Sequence, residues 1–297
     1  LRRSFEGEVA TYKQRIERDG FCIIEHVIPE AVVGQICAEV AATVEHQRQH
    51  SAAELAAIRR RGHRIGNPGV SQLRQVINQV QSFAPYLADR RLLAVVESFF
   101  STWARISCTD CVVNHPGNAR GYWHADWPYN ATNASHIPAP YPDAVLHLST
   151  IWMLTPFAPE TGGTFVVPGS HRWPRNPAAG DMSEMDQDAP YPTECQVEGA
   201  AGSVLVYDSR LWHAVASNRS ASDRVALIVR YAPWWLNLNP TLIGRPEHEA
   251  MVVETGGKNY EMAPIEREVF DRLPKEVKPL YRHWVAQSAQ PDGVRGH

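Results

Sequence analysis

Ser203-Val204-Leu205-Val206-Tyr207-Asp208-Ser209-Arg210-Leu211-Trp212-His213 is a short apolar run, a turn and then a histidine. Val204 to Tyr207 has the length and β-branched content of a buried strand, so His213 falls just beyond a strand end. Similar runs surround it: Arg105 to Val113, Val145 to Leu154, Thr164 to Val167, and Val225 to Ala232. Turns rich in Gly, Pro and Asn separate them, and no helix of convincing length interrupts this half. The pattern predicts an antiparallel sandwich or open barrel. The first hundred residues read differently, as helices to be packed on the outside of the sheets. An amphipathic stretch covers Phe5 to Arg18, a strand Phe21 to Ile24, and a helix runs from Pro29 through Val44. A second helix is expected over Ala52 to Arg61, then a loop at Gly62, Gly66, Pro68 and Gly69, a helical segment at Leu73 to Val80, and a helix over Ala88 to Phe100. Beyond Trp234 the pattern weakens: Trp234 to Arg245 is irregular, and Glu266 to Gln287 suggests two short helices.

With 297 residues, 44% hydrophobic and 21% charged, the chain has enough apolar material for one large core. No linker separates an independent second unit, so a single domain over 1–297 is expected. A net charge of -3 gives no long-range attraction for nucleic acid. The basic cluster Arg59-Arg60-Arg61 with Arg64 reads as a solvated helix end. No apolar run approaches the roughly 18 residues of a membrane span, and Leu1 to Glu6 lacks the apolar stretch of a secretory signal. Five cysteines, an odd number in a chain that needs no staples, favour free thiols and a cytoplasmic location. Cys108-x-x-Cys111 with His115 could begin a zinc knuckle, but a second close-spaced pair is missing and the segment reads as a strand.

The chemistry gathers around His124-Ala125-Asp126, answered by His213 and, eleven residues later, by Arg224. In an extended segment His124 and Asp126 point to the same side. Two imidazoles and a carboxylate hold a divalent iron on one face and leave the other open. Three free positions suffice for a bidentate 2-oxo acid and O2, and a fixed arginine suits the far carboxylate of that co-substrate. Zinc tolerates the same ligands and would support hydrolysis instead. A loop histidine and a hydrogen-bonded core histidine are the bland alternative at this point.

Four segments carry a resemblance: Gly121-Tyr122-Trp123-His124-Ala125-Asp126-Trp127, Trp152-Met153-Leu154, Glu160-Thr161-Gly162-Gly163-Thr164-Phe165-Val166-Val167-Pro168-Gly169-Ser170-His171, and Asp208 to Ala214 continuing through Asn218-Arg219-Ser220 to Arg224. Together they resemble the phytanoyl-CoA dioxygenase family of Fe(II)/2-oxoglutarate oxygenases, over residues of about 105 to 232. The resemblance implies a mainly β fold with flanking α-helices, built on a double-stranded β-helix (a cupin-like jelly roll). It places a helical portion at about 1–100, the jelly-roll core at about 101–235 and a C-terminal extension at about 236–297. It implies His124, Asp126 and His213 as iron ligands and Arg224 as the salt-bridge partner of 2-oxoglutarate, with Trp152 near the same co-substrate. The cofactor set would be Fe(II), 2-oxoglutarate and O2, and the chemistry oxidation of an unactivated C–H bond. Family substrates range from acyl-CoA thioesters to amino acids, alkaloids and terpenoids. Halogenating relatives replace the acidic ligand with a small residue; Asp126 fills that place, which favours hydroxylation, with desaturation or ring formation open to the same oxidant.

The remaining readings come from position. Gly162-Gly163 and Pro168-Gly169 are turn architecture. His171 reads as structural, bonded to a turn near Asp208, and Asn218 and Ser220 as organisers of the turn before Arg224. Thr164 and Asn114 are candidates for orienting the oxo acid. Arg224 and Arg230 share one face of their strand by parity, so Arg230 can bind a substrate anion or support the site. The aromatics Trp123, Trp127, Tyr129, Trp234 and Trp235 flank the ligands and are candidates for substrate contact. They suggest a partly apolar small molecule as substrate. An acyl-CoA held through Arg59-Arg60-Arg61, or a non-catalytic binding protein, stands as an alternative.

Overall fold

A computed structural model of the chain describes residues 2–60, 69–177, 182 and 185–286. The N-terminal part is helical, with α1 over Arg2–Asp19, α2 over Glu30–Arg60 and α3 over Arg90–Phe100. Asp89 starts α3 by accepting hydrogen bonds from the backbone N–H groups of Arg91 and Leu92. Leu92, Val95, Val96 and Phe100 then form its buried stripe. The two helices expected between Pro29 and Arg61 are one continuous helix, because no Gly or Pro interrupts residues 35–60. The exposed Arg60 ends it, and Arg61, Gly62, Arg64, Gly66 and Pro68 lie outside the described residues.

The described residues form nine strands: β1 (Phe21–Ile24), β2 (Val70–Leu73), β3 (Arg105–Asn114), β4 (Leu148–Met153), β5 (Phe165–Val166), β6 (Cys195–Gln196), β7 (Val204–Asp208), β8 (His213–Ala214) and β9 (Arg224–Ala232). Six of them make a sheet in the order β1-β7-β4-β9-β3-β2, and the other three a small sheet in the order β6-β5-β8. Every strand pairing is antiparallel. The two hydrogen-bonded ladders remain separate, so the structure is a mixed α/β fold with two facing sheets rather than a demonstrated closed barrel. Leu73 to Val80 is a correction to the helical expectation. Val70–Leu73 pairs with Cys111–Asn114 instead, and only Val76–Asn78 makes a single 3-10 turn. Tertiary pairing overrides the local pattern there, and the Gln75 N–H is captured by the buried Asp110 carboxylate.

The large sheet has two apolar faces, which accounts for strands buried at nearly every residue. Leu148, Trp152, Val204, Val206, Val225, Leu227, Val229 and Tyr231 join the helices in one core. Ile151, Met153, Leu205, Tyr207 and Ala226 point the other way and meet Val166 and Val197 of the small sheet in a second core. A third cluster at the far edge joins Trp127, Cys108 and Ala232 to Leu238, Leu242, Met262 and Trp284 of the C-terminal segment. That segment contains the short helices α4 (Pro246–His248), α5 (Arg267–Arg272) and α6 (Lys278–Tyr281). Cys108 and Cys111 fall in different clusters on opposite faces of β3, so they cannot share a zinc ion. All five cysteines are free. Among the described residues no helix is long and apolar enough to cross a membrane.

Candidate metal centre

The His-x-Asp segment is tied into the space between the sheets by its own backbone. His124 and His213 exchange N–H···O bonds of 3.1 and 3.0 Å, and the Asp126 N–H donates to the Ser209 carbonyl at 2.9 Å. β8 in turn pairs His213 with Val166. One ligand atom from each of His124, Asp126 and His213 comes within 4.8 Å of the others. Each imidazole has its Nδ1 facing a carbonyl two residues back, Tyr122 at 3.1 Å and Leu211 at 2.9 Å. Those contacts place the proton on Nδ1 and leave Nε2 with a lone pair for a metal. Burial, with the neighbouring His213, pulls His124 down to about 3, so its imidazole is neutral and ligand-ready.

Asp126 is buried and fully engaged. Its Oδ1 accepts from the Arg230 guanidinium at 2.6 Å, and its Oδ2 accepts from Ser149 Oγ at 2.7 Å and from the Tyr207 hydroxyl at 2.8 Å. Burial alone would raise this carboxyl, yet the Arg230 charge and the Ser149 hydrogen bond hold it below the usual carboxylate range. Burial and the adjacent Asp126 push the Tyr207 phenol up, which keeps it protonated and donating. Neither Ser149 nor Tyr207 is marked by any motif. The available signal was a polar group on the inward parity of two otherwise apolar strands.

Arg224 and Arg230 lie on the same face of β9 but have different surroundings. Arg224 is 3% exposed, its Nε has no hydrogen-bond partner, and no carboxylate among the described residues pairs with it. The Phe157 ring, 4.5 Å from the guanidinium carbon, is its nearest compensation. Burial pulls its pKa from 12.5 down to about 10. A buried cation without an acid partner, in the interior that also holds the triad, is suited to receive an anionic ligand. The residues present therefore fit both an iron ion and a carboxylate co-substrate. Arg230, by contrast, is committed to Asp126, and its guanidinium stacks on Tyr260 at 4.5 Å.

The other expected site residues scatter. Trp152 faces the helix-side core with its Nε1–H on Thr150 Oγ1 at 2.8 Å, on the opposite face from Ser149 and the metal ligands. Trp123 packs on the outer face of the small sheet with Trp212, and its Nε1–H reaches the Ala189 carbonyl. Trp234 and Trp235 are 61% and 52% exposed and close no buried pocket. Tyr129 is buried edge-on to Tyr141, beside Arg210. Trp127 packs between the C-terminal segment and His147, whose ring it meets edge-on at 5.3 Å. Thr164 is buried just before β5, with its carbonyl taken by Val197 N–H. The Asn114 carboxamide donates to the Ala216 carbonyl and accepts from Asn118. Asn218 organises the turn ahead of Arg224 through Ser220, Ser222 and the Asn114 carbonyl. His171 binds the Glu17 carbonyl beside Gly20, so its turn is the one between α1 and β1. Gly162, at φ 81°, leaves no room for a side chain: a Cβ would lie 2.7 Å from Asn114 Nδ2 and 2.8 Å from the Ser217 carbonyl.

Several known proteins share this framework. An uncharacterized protein of Mycobacterium tuberculosis is 28% identical over 275 residues, covering 89% of this chain and 90% of its own. The ectoine dioxygenase of Bordetella parapertussis is 27% identical over 265 residues, 80% of each chain. Among solved structures, HygX from Streptomyces hygroscopicus, with nickel, 2-oxoglutarate and hygromycin B bound, superposes with a TM-score of 0.55 at 19% identity. That match covers 85% of this chain and 96% of HygX. The 2-oxoglutarate-dependent epimerase SnoN gives a TM-score of 0.54 at 16% identity, covering 77% of this chain and 82% of its own. A model of the phytanoyl-CoA dioxygenase family matches residues 16–226, and the chain belongs to that family, as an Fe(II)/2-oxoglutarate-dependent enzyme with a two-histidine, one-carboxylate metal site.

Proposed function

We propose that the protein oxidises an unactivated C–H bond of a small, partly apolar metabolite, with 2-oxoglutarate as co-substrate. The observation that carries this reading is the buried Arg224 guanidinium, with no carboxylate partner among the described residues, in the interior that also holds His124, Asp126 and His213. The three ligands would hold Fe(II), which together with 2-oxoglutarate and O2 supplies the oxidising power. Arg224 would grip the distal carboxylate of the oxo acid as a two-pronged donor. Thr164 stays a candidate for that carboxylate, whereas the carboxamide of Asn114 is bound within the fold. Arg230, Ser149 and Tyr207 all hydrogen-bond the Asp126 carboxylate, which supports a place for Arg230 in the metal centre over one at a substrate anion. Trp127 and Tyr260, carried at the edge where the C-terminal segment packs, are the aromatic groups best placed to meet an apolar substrate. The exposed Trp234 and Trp235, the outward Trp123, and Tyr129, whose ring packs on Tyr141 and Arg210, are not assigned to it. A single catalytic unit spanning the helical part, the sheets and the C-terminal segment agrees with the shared clusters.

Family membership displaces the zinc-hydrolase reading; the acyl-CoA alternative rests on Arg59-Arg60-Arg61, of which Arg61 and the Arg59 side chain lie outside what the structure describes. The outcome at carbon has two forms. Asp126 occupies the ligand position that a halide would need, which favours hydroxylation over halogenation. Desaturation, ring closure or epimerisation forms the second reading, because SnoN, a protein of this fold, is an epimerase. The test is aerobic turnover with Fe(II), 2-oxoglutarate and a panel of small metabolites, read for succinate and product mass. One added oxygen supports hydroxylation, loss of two hydrogens supports desaturation or ring closure, and an unchanged mass with inverted configuration supports epimerisation. Succinate formation that survives intact in His124→Ala and His213→Ala would refute the iron assignment.

A further inference from the structure

A buried polar chain leads away from the Asp126 carboxylate across the large sheet. Ser149 Oγ donates to Asp126 Oδ2 at 2.7 Å and lies 2.8 Å from Ser209 Oγ. Ser209 Oγ is 2.7 Å from His147 Nδ1, and His147 Nε2 is 2.7 Å from Ser107 Oγ. Ser107, His147, Ser149 and Ser209 are all at most 3% exposed. Counting protons fixes the direction of every bond. Ser149 has one hydroxyl proton and gives it to the carboxylate. The 2.8 Å contact between the serines then requires the Ser209 proton. Ser209 must accept from His147, so the imidazole carries its proton on Nδ1. Nε2 is left as an acceptor for the Ser107 hydroxyl, whose alternative, the Arg230 carbonyl, is at 3.4 Å. The opposite tautomer would leave two serine oxygens 2.8 Å apart with no proton between them.

Resting on the iron reading above, we propose that His147 is a positioning residue for the metal centre, acting through Ser209 and Ser149 to fix the rotation of the Asp126 carboxylate. With Oδ2 pinned by Ser149 and Tyr207, Oδ1 is the oxygen turned toward His213, whose Nε2 is 3.7 Å away. Burial pulls His147 down to about 3, so it remains neutral and keeps a single tautomer. Trp127, next to Asp126 in sequence and edge-on to the imidazole, ties this chain of bonds to the C-terminal segment. Partners of this kind that orient a metal ligand change metal affinity by about ten- to a hundredfold when removed.

Cobalt(II) titration of the full chain tests the assignment, with the visible absorption of the bound ion and a calorimetric dissociation constant as readouts. Ser209→Ala and His147→Leu are expected to weaken cobalt binding about ten- to a hundredfold and to shift the absorption band. His147→Asn places an N–H near Ser209 and is expected to restore both. Trp152→Phe, on the same strand but the other face, should lower thermal stability without moving the band. Ser209→Ala removes one oxygen and decides the matter even if His147→Leu does not fold. An unchanged band and affinity in Ser209→Ala would overturn the proposal and leave the iron reading standing. Failure of the wild-type protein to bind cobalt would overturn both.

Discussion

Replacing Arg224 with methionine should stabilise the ligand-free protein while removing its affinity for 2-oxoglutarate. The guanidinium is 3% exposed, without an acid partner among the described residues, and its pKa falls from 12.5 to about 10. The folded value lies below the unfolded one, so the cation disfavours the fold at every pH below about 10. At 1.36 kcal/mol per pH unit the cost is about 3 kcal/mol. The Phe157 ring offsets about 1 kcal/mol, which leaves a net penalty of about 2 kcal/mol. Methionine fills similar space without a charge, so Arg224→Met is expected to raise the urea unfolding free energy of the metal-free protein by about 1–2 kcal/mol. Calorimetric titration of the metal-loaded variant with 2-oxoglutarate should show no measurable binding. Arg224→Lys keeps a charge but not the fork, and should weaken 2-oxoglutarate far more than it weakens the metal. Loss of stability in Arg224→Met would show that the guanidinium is already satisfied by the protein. Retained 2-oxoglutarate affinity would refute its role outright.

Three further outcomes are expected. Metal-free protein should lose stability as the pH falls below about 6.5, because burial holds both His124 and His147 near 3 while the unfolded chain takes up the protons. Their contribution is present above the unfolded pKa and is lost on acidification, by about 2 kcal/mol per histidine at pH 5; equal urea midpoints at pH 7 and pH 5 would contradict it. Trp152→Phe should cost about 1–2 kcal/mol in thermal unfolding and leave 2-oxoglutarate affinity unchanged, and a large affinity loss would return Trp152 to the co-substrate site. Gly163→Ala would drive a Cβ into the Val197 carbonyl, so unfolding should occur at lower temperature by at least about 1–3 kcal/mol of stability; an unaltered midpoint would mean that the turn shifts freely.

The fold was legible in the sequence where apolar content and period agree. β1, β7 and β9 form where their apolar runs lie, and the inward parity of Arg224 and Arg230 follows from the two-residue repeat of the strand. β2 was hidden because Val70–Leu73 is short and its identity depends on pairing with Cys111–Asn114, a long-range fact. β6 and β8 have two residues each and carry no periodic signal. The triad was legible because two ligands sit two residues apart in an extended segment and the third follows a strand. The aromatic neighbours were not, because adjacency to a ligand in sequence does not set the face: Trp123, next to His124, turns outward, and Trp152, expected from the resemblance alone, turns to the helices. The donors on Asp126 come from three different places along the chain, and no local pattern joins Ser149, Tyr207 and Arg230 to it.

The two arginines of β9 show why composition and parity alone stop short of roles. Both are buried, both face the interior between the sheets, and each lies against an aromatic ring. Asp126 sits against Arg230 at 2.6 Å, and that attraction holds the guanidinium charged in spite of its burial. Among the described residues Arg224 has no such counter-charge, and burial lowers its pKa. A protein interior retains an uncompensated cation only at a cost, so on the proposed reading the arginine without a carboxylate partner among the described residues is the one whose partner arrives from outside. By the same reasoning Arg230 belongs to the resting architecture of the metal centre. Removing Arg230 would leave Asp126 buried with one neutralising partner fewer, whereas removing Arg224 relieves the fold. Opposite signs of stability change for Arg230→Met and Arg224→Met in the metal-free protein are therefore the expected result, and equal signs would mean that one of the two roles is misassigned.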